Sequence, residues 1–164
     1  MAKKNLNITL YMSELIYDFQ NKAFITGRSK RVGGDSEQAS DMQASDDEED
    51  RNQSLRSIQT AYGHLQVEMG DAIIGDGTTA SNELINGAEN ITMNLQMPSN
   101  FNMGVKDALT SAIHDYIISK ALADWFLMTN KGDAGEYEQL AQASMVNVHN
   151  AFNRRVRPTR NTVS

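Results

Sequence analysis

Tyr116-Ile117-Ile118-Ser119-Lys120-Ala121-Leu122-Ala123-Asp124-Trp125-Phe126-Leu127-Met128 is the stretch that decides the fold. It forms the second half of a run from Met103 to Asn130 that contains no Pro. In that run Val105, Leu109, Ala112, Ile113, Tyr116, Ile117, Lys120 and Asp124 follow helical steps of three and four. Beyond Tyr116 the apolar residues spread around the whole cylinder, so this helix expects neighbours on several sides. Asn102 stands as its N-cap, and Asn130-Lys131-Gly132 supplies a stop. The chain's only Trp lies here, and aromatic residues at helical spacing belong to a core rather than to a cofactor box.

With 164 residues the chain is expected to form one domain, 1–164, with one core. An apolar share of 40% and a mean hydropathy of -0.50 place part of it outside that core. A net charge of -6 and a pI near 5.0 argue against general affinity for nucleic acid, because phosphate contact needs a basic face. The absence of Cys excludes disulfides, thiolate zinc sites and cysteine nucleophiles. Met1 to Asn7 lacks the apolar stretch of a signal peptide, and no apolar run reaches the roughly 18 residues of a spanning helix. The expectation is a soluble protein made in a cytosol, with no membrane partner.

Outward from the central helix, Asn90 to Met97 alternates strictly, with Ile91, Met93, Leu95 and Met97 on one face and Thr92, Asn94 and Gln96 on the other. This is the clear strand. Asn86-Gly87 folds it back on Ser81 to Ile85 as a hairpin, 81–97, and Pro98 ends it. Such a hairpin is expected to pack on the helices or pair with a neighbouring subunit, and its edge offers itself for completion by the next copy of a ring.

Further upstream, Leu6, Ile8 and Leu10 alternate with Asn5, Asn7 and Thr9, which fits a short strand or a lead-in. Met12, Leu15, Ile16, Phe19 and Ala23 mark a first helix from Thr9 to about Thr26, with Gly27 as its C-cap. Residues 27–53 read as a flexible acidic loop, since Asp35 to Asp50 holds eight acids and cannot build a core. Asp46, Glu48 and Asp50 have the alternate spacing of a calcium loop. The match fails because Arg51 replaces the Gly at the sixth position and Ser57 the Glu at the twelfth. A second helix runs from about Gln53 to Ala72 on Leu55, Ile58, Tyr62, Leu65 and Met69.

After the central helix, Asp133 or Gly135 starts a fourth, with Tyr137, Ala141, Ser144, Met145, Val148, Phe152 and Val156 as its stripe. Residues 153–164 form a basic tail. Arg154, Arg155, Arg157 and Arg160 exceed what capping a helix dipole requires, so the tail suits an acidic protein surface, phosphates or plain solvation. The fold class is therefore mainly α, a four-helix bundle with one β-hairpin between helices 2 and 3 and a long acidic loop between helices 1 and 2.

No constellation for catalysis is present in the pattern. His64, His114 and His149 fall on three different helices, and none belongs to a Glu-X-X-His pair. Antiparallel packing would at most bring His114-Asp115 and Asp124 towards His149. There is no phosphate-binding loop, nucleophile elbow or His-Glu-X-X-His. The expectation is a non-enzyme with no cofactor and no metal.

Asn90-Ile-Thr-Met-Asn-Leu-Gln-Met-Pro-Ser-Asn-Phe101 leads into the helix holding Ile113-His-Asp-Tyr-Ile-Ile-Ser-Lys-Ala-Leu-Ala-Asp-Trp-Phe126. Ala134-Gly-Glu-Tyr-Glu138 opens the next helix, and Arg154-Arg-Val-Arg-Pro-Thr-Arg160 closes the chain. This order resembles the small head-to-tail adaptor (connector, or head-completion) proteins of tailed bacteriophages. The resemblance is architectural and covers most of the chain. The loop at 27–53 is longer and more acidic than that family's pattern requires.

The resemblance implies a virion protein made in the bacterial cytoplasm. It would form a homo-oligomeric ring, commonly twelvefold, beneath the portal, with tail or further connector proteins as its other partners. DNA would pass through the lumen without sequence-specific binding, helped by an acidic surface. Arg154, Arg155, Arg157 and Arg160 would then dock a partner, and Ile91, Met93, Leu95 and Met97 would build the ring contact. Another helical interaction protein, a small nucleic-acid-binding regulator using the tail, and an enzyme on a four-helix bundle are the competing classes.

Overall fold

A computed structural model describes residues 2–32, 43–45 and 47–160. In chain order the elements are β1 (Lys4–Leu10), α1 (Met12–Val32), α2 (Glu48–Glu68), β2 (Ile91–Met97), a 3₁₀ turn (Met103–Val105), α3 (Lys106–Thr129) and α4 (Lys131–Phe152). The chain is mainly helical, with four helices and one two-stranded antiparallel sheet among the described residues.

α3 is central because its sequence is apolar nearly all round. Ile113, Ile117, Ile118, Ala121, Leu122 and Phe126 are fully buried, with α1, α2, α4 and β1 packed about them. Phe19 of α1 meets Trp125 edge-on at 5.8 Å between ring centroids, and Phe126 faces Tyr137 of α4 at 5.2 Å. These geometries suit the ring quadrupoles and add to plain burial. α4 returns directly along α3 through a one-residue hinge, Asn130. Its carbonyl oxygen Oδ1 accepts from the Gly132 N–H, and its Nδ2 donates to Asp133 Oδ2. Replacing this cap in Asn130→Ala is expected to cost about 1 kcal/mol, with an upper bound near 2. Thermal melts then shift down by about 2–4 °C for each kcal/mol lost.

Both helix boundaries flanking the acidic loop differ from the sequence expectation. α1 runs through Gly27, which is buried one helical step beyond Phe19 and Ala23 and so serves as a small residue on the core stripe instead of a C-cap. α2 begins at Glu48, five residues earlier than expected. Glu48, Glu49 and Asp50 sit in its first turn, where the dipole favours them, and Ser45 donates to Asp50 Oδ2 through both N–H and hydroxyl. The flexible acidic loop of 27–53 is thus helical at both ends, and its residues 33–42 and 46 lie outside the described residues. Asn102, expected as the N-cap of the central helix, caps the 3₁₀ turn Met103–Val105 that leads into it, accepting from the Gly104 N–H, while α3 itself follows Val105 with no side-chain cap.

The strand partner is a correction. β2 pairs with β1, in register from Lys4↔Met97 to Leu10↔Ile91, and not with Ser81 to Ile85. The alternation explains this: Leu6, Ile8 and Leu10 match the buried face of β2 over seven residues, whereas Leu84 and Ile85 are adjacent and cannot share one face of a strand. Ser81 to Ile85 instead lies on α2, where Arg56 and Gln59 donate to the Asn82 and Glu83 carbonyls. The Asn86-Gly87 turn does form, with Ala88 N–H on Asn86 Oδ1. A Cβ on Gly87 would come within 3.1 Å of the end of the Arg51 side chain, which would have to move aside, so the chain passes close to α2 here.

Candidate functional site

The basic residues gather at one corner because three chain segments are hydrogen-bonded there. β2 ends in the turn Pro98–Phe101, and the segment after α4 returns to it. Asn102 N–H donates to the Arg154 carbonyl, Val156 N–H donates to the Asn100 carbonyl, and Phe101 and Arg155 form a β-bridge. The start of β1 joins them through Lys4 Nζ, which donates to the Phe101 carbonyl at 3.0 Å. Lys3 reaches Gln96 Oε1 at 3.4 Å. One turn beyond Asn102, Lys106 opens α3.

Residues 2–4, 98–107 and 153–160 together contribute Lys3, Lys4, Lys106, Arg154, Arg155, Arg157 and Arg160 against a single carboxylate, Asp107. Seven of the fifteen Lys and Arg of a net acidic chain therefore lie on the three segments joined here, with Asp71 next to Ala72, whose carbonyl accepts from Gln96 N–H. Arg155 is half-buried and turned inward, its guanidinium donating to the Phe152 and Arg154 carbonyls. Arg154, Arg157 and Arg160 are exposed and enter no described ion pair. The four arginines singled out in the sequence thus divide into one that fastens the tail and three that face solvent. Lys3, Lys4 and Lys106 join them only through the fold, and no local pattern in the sequence announces that.

Ile91, Met93, Leu95 and Met97 are not available as a ring contact. All four are buried, at 8%, 2%, 0% and 0% exposure, in the core of their own chain. The alternation identified a two-faced strand correctly, but its apolar face is claimed internally, and Thr92, Asn94 and Gln96 form the solvent face.

The titratable groups are dispersed. His114 Nε2 lies 2.6 Å from Asp18 Oδ2, His149 is 3.4 Å from Glu68, and Ser57 donates to Asp124 Oδ2 at 2.7 Å. His114, Asp124 and His149 therefore have three separate partners and do not converge. A groove follows α3 between α2 and α4, with a cavity of about 130 Å³ where Ser57, His64, Lys120, Asp124 and Glu138 stand among Ala61, Ala123 and Leu127. Lys120 Nζ contacts both Glu138 carboxylate oxygens at 2.8 Å. The Ser57 hydroxyl is thus held by the Asp124 carboxylate, and no described hydrogen bond joins it to His64. Among the described residues no three His, Asp or Glu side chains form a metal-binding group, and no helix is long and apolar enough to cross a membrane.

Tyr62 and Tyr116 border this region, and both hydroxyls are pushed above their ordinary value of 10.0. Burial is the main cause in each, and the Glu138 and Glu68 charges add to it at Tyr116. The unfolded chain ionises these groups first, so their contribution is complete below pH 10 and is lost as pH rises through the folded values. The melting temperature is expected to fall more steeply above pH 10 in the native chain than in Tyr62→Phe/Tyr116→Phe, as thermal melts across that range will show.

No protein-family model, curated protein or solved structure matches the chain. The corner of fixed cations and the sheet are thus read on their own physics.

Proposed function

We propose that the chain is a structural virion protein of the head-to-tail adaptor kind. It assembles as a ring, commonly twelvefold in proteins of that kind, beneath the portal of a tailed phage, and lets DNA pass through. The observation that carries this reading is the fastened basic corner on an otherwise acidic body, which gives each subunit one end suited to an acidic protein surface. An interface needs its contact groups held in place, and the backbone bonds at Arg154 and Val156 hold these. The rest of the chain, with eight Lys and Arg against twenty Asp and Glu, suits a lumen that repels phosphate.

The corner fits a protein partner better than nucleic-acid bases. Phe101, the aromatic residue at its centre, is fully buried and offers no stacking face. The partners in this reading are the portal, a tail or further connector protein, and other copies of the chain. The protein is not an enzyme, is made in the host bacterial cytoplasm and ends in the virion. Electron microscopy of portal rings mixed with the chain is expected to show a second coaxial ring. Portals that stay undecorated at saturating concentration overturn the reading.

A further inference from the structure

We infer that the outer edge of β1 is completed by the Thr78–Ser81 segment of a second copy, making the sheet the seam between subunits. This rests on the ring reading and names its contact.

The sheet is asymmetric. On one side β2 pairs with β1, and on the other it meets Ala72–Ile74, with Ile74 N–H on the Asn94 carbonyl and Gln96 N–H on the Ala72 carbonyl. Those two bonds fix the direction of every backbone group in the ladder, because successive residues of a strand point to opposite sides. Asn94 and Gln96 point to Ala72–Ile74, so Met93, Leu95 and Met97 point to β1. Their opposites Ile8, Leu6 and Lys4 point back. Asn5, Asn7 and Thr9 therefore direct their N–H and C=O groups outward, and no described hydrogen bond within the chain satisfies them.

Edge strands are ordinarily protected by a charge, a Pro or a bulge. This edge has seven regular residues with no Pro. Lys4 is turned away to the Phe101 carbonyl, and Asn5, Asn7 and Thr9 present neutral exposed side chains. Thr9 also borders an open groove of about 320 Å³ with Tyr11, Glu14, Thr110 and His114, so the edge is not covered at that end.

The occupant leaves the opposite side of the same sheet. After Ile74 the chain enters a stretch, to Ile85, with no helix or strand, and every residue from Ile74 to Glu83 is exposed. A stretch of that length in a compact domain is uncommon and usually functional. Asp76 shapes its start by accepting from the Thr78 N–H and hydroxyl, with Gly77 at φ +77°. Thr78, Thr79, Ala80 and Ser81 carry no charge that would oppose Asn5, Asn7 and Thr9.

One copy thus carries an unfilled edge on one side and, leaving the other, an exposed segment in which the backbone of Thr79, Ala80 and Ser81 enters no described hydrogen bond. Two different sides that complement each other in this way make head-to-tail contacts, which close into a ring when the rotation from copy to copy divides a full turn. Main-chain pairing by an added strand is a general route to such contacts.

Two substitutions test the seam. Asn7→Pro removes an outward N–H and breaks no bond to β2, and Thr79→Pro removes one from the exposed segment. By sedimentation velocity the native chain is expected to assemble, and each variant alone to stay monomeric. An equimolar mixture of the two is expected to give a species of two chains and nothing larger, because one partner keeps the segment and the other keeps the edge. Hydrogen exchange on the native assembly is expected to slow at Asn5, Asn7 and Thr9 by tenfold or more. This readout holds even if Asn7→Pro fails to fold. Assembly of both variants like the native chain, or unchanged exchange at those three amides, overturns the seam and leaves the ring reading standing. A native chain that stays monomeric with and without portal overturns both.

Discussion

Phe101→Ala is expected to lose about 3–5 kcal/mol of folding free energy, the usual cost of truncating a buried Phe to Ala. That is a large part of the 5–15 kcal/mol that holds an ordinary domain together. Phe101 is fully buried at the point where β2 turns into α3, and its backbone bridges to Arg155 while its carbonyl takes Lys4. The cavity left by the ring therefore loosens the core and the basic corner together. Urea unfolding should show the loss, and amide exchange at Asn102 and Val156 should quicken, since both donate across the junction. Phe24→Ala is the control, because that ring is 47% exposed and its removal should change stability by no more than about 0.5 kcal/mol. A loss below about 1 kcal/mol in Phe101→Ala would mean that the corner does not depend on the core beneath it.

Reversing charge in Arg154→Glu/Arg157→Glu/Arg160→Glu is expected to slow association with an acidic partner by about 10- to 1,000-fold, the range over which electrostatic steering acts. Folding should be unaffected, because the three side chains are exposed and make no described ion pair. Arg155 is left in place, since it fastens the tail through two carbonyls. The native chain should itself bind more slowly as salt rises, because the Debye length shrinks from about 30 Å at 0.01 M to about 8 Å at 0.15 M. Biolayer interferometry on immobilised portal reads both effects. Equal association rates for native and reversed chains would remove the arginines from the docking surface.

The helical part of this fold was legible in the sequence wherever burial leaves a period. α3 could be recognised because apolar residues cover it all round, and Asn102 and Asn130 mark the 3₁₀ turn that precedes it and the start of the helix that follows it. Gly27 was misleading for a definite reason: a glycine on a buried stripe and a glycine at a helix end look alike until the neighbouring helix is in place. The strand of Ile91 to Met97 was plain, but its partner was not. Turn residues argue for the nearest segment, whereas pairing follows the match of two alternating faces, and here the match is Leu6, Ile8 and Leu10, some eighty residues away in the chain. For the same reason the face offered for a ring contact proved to be core. The arginine cluster was visible as a run, whereas its union with Lys3, Lys4 and Lys106 depends on the pairing of β1 with β2 and on the bridge between Phe101 and Arg155, which no local pattern reports.

Exposed apolar side chains add a further surface. Tyr17 and Phe24 lie seven residues apart on the outer face of α1, with Ile25 beside them and Arg28 over the Phe24 ring at 6.0 Å. Each is close to half exposed or more, and their spacing puts them on one stripe. A ring whose subunits meet edge to edge at the sheet leaves this stripe to be covered by some other contact or to remain wet.

Native mass spectrometry of the chain, alone and bound to portal, tests the adaptor reading most directly. The expected result is a closed set of identical copies, added to the portal in a fixed whole-number ratio and lost when salt is raised. A chain that remains single under every condition, and leaves the portal mass unchanged, would contradict it.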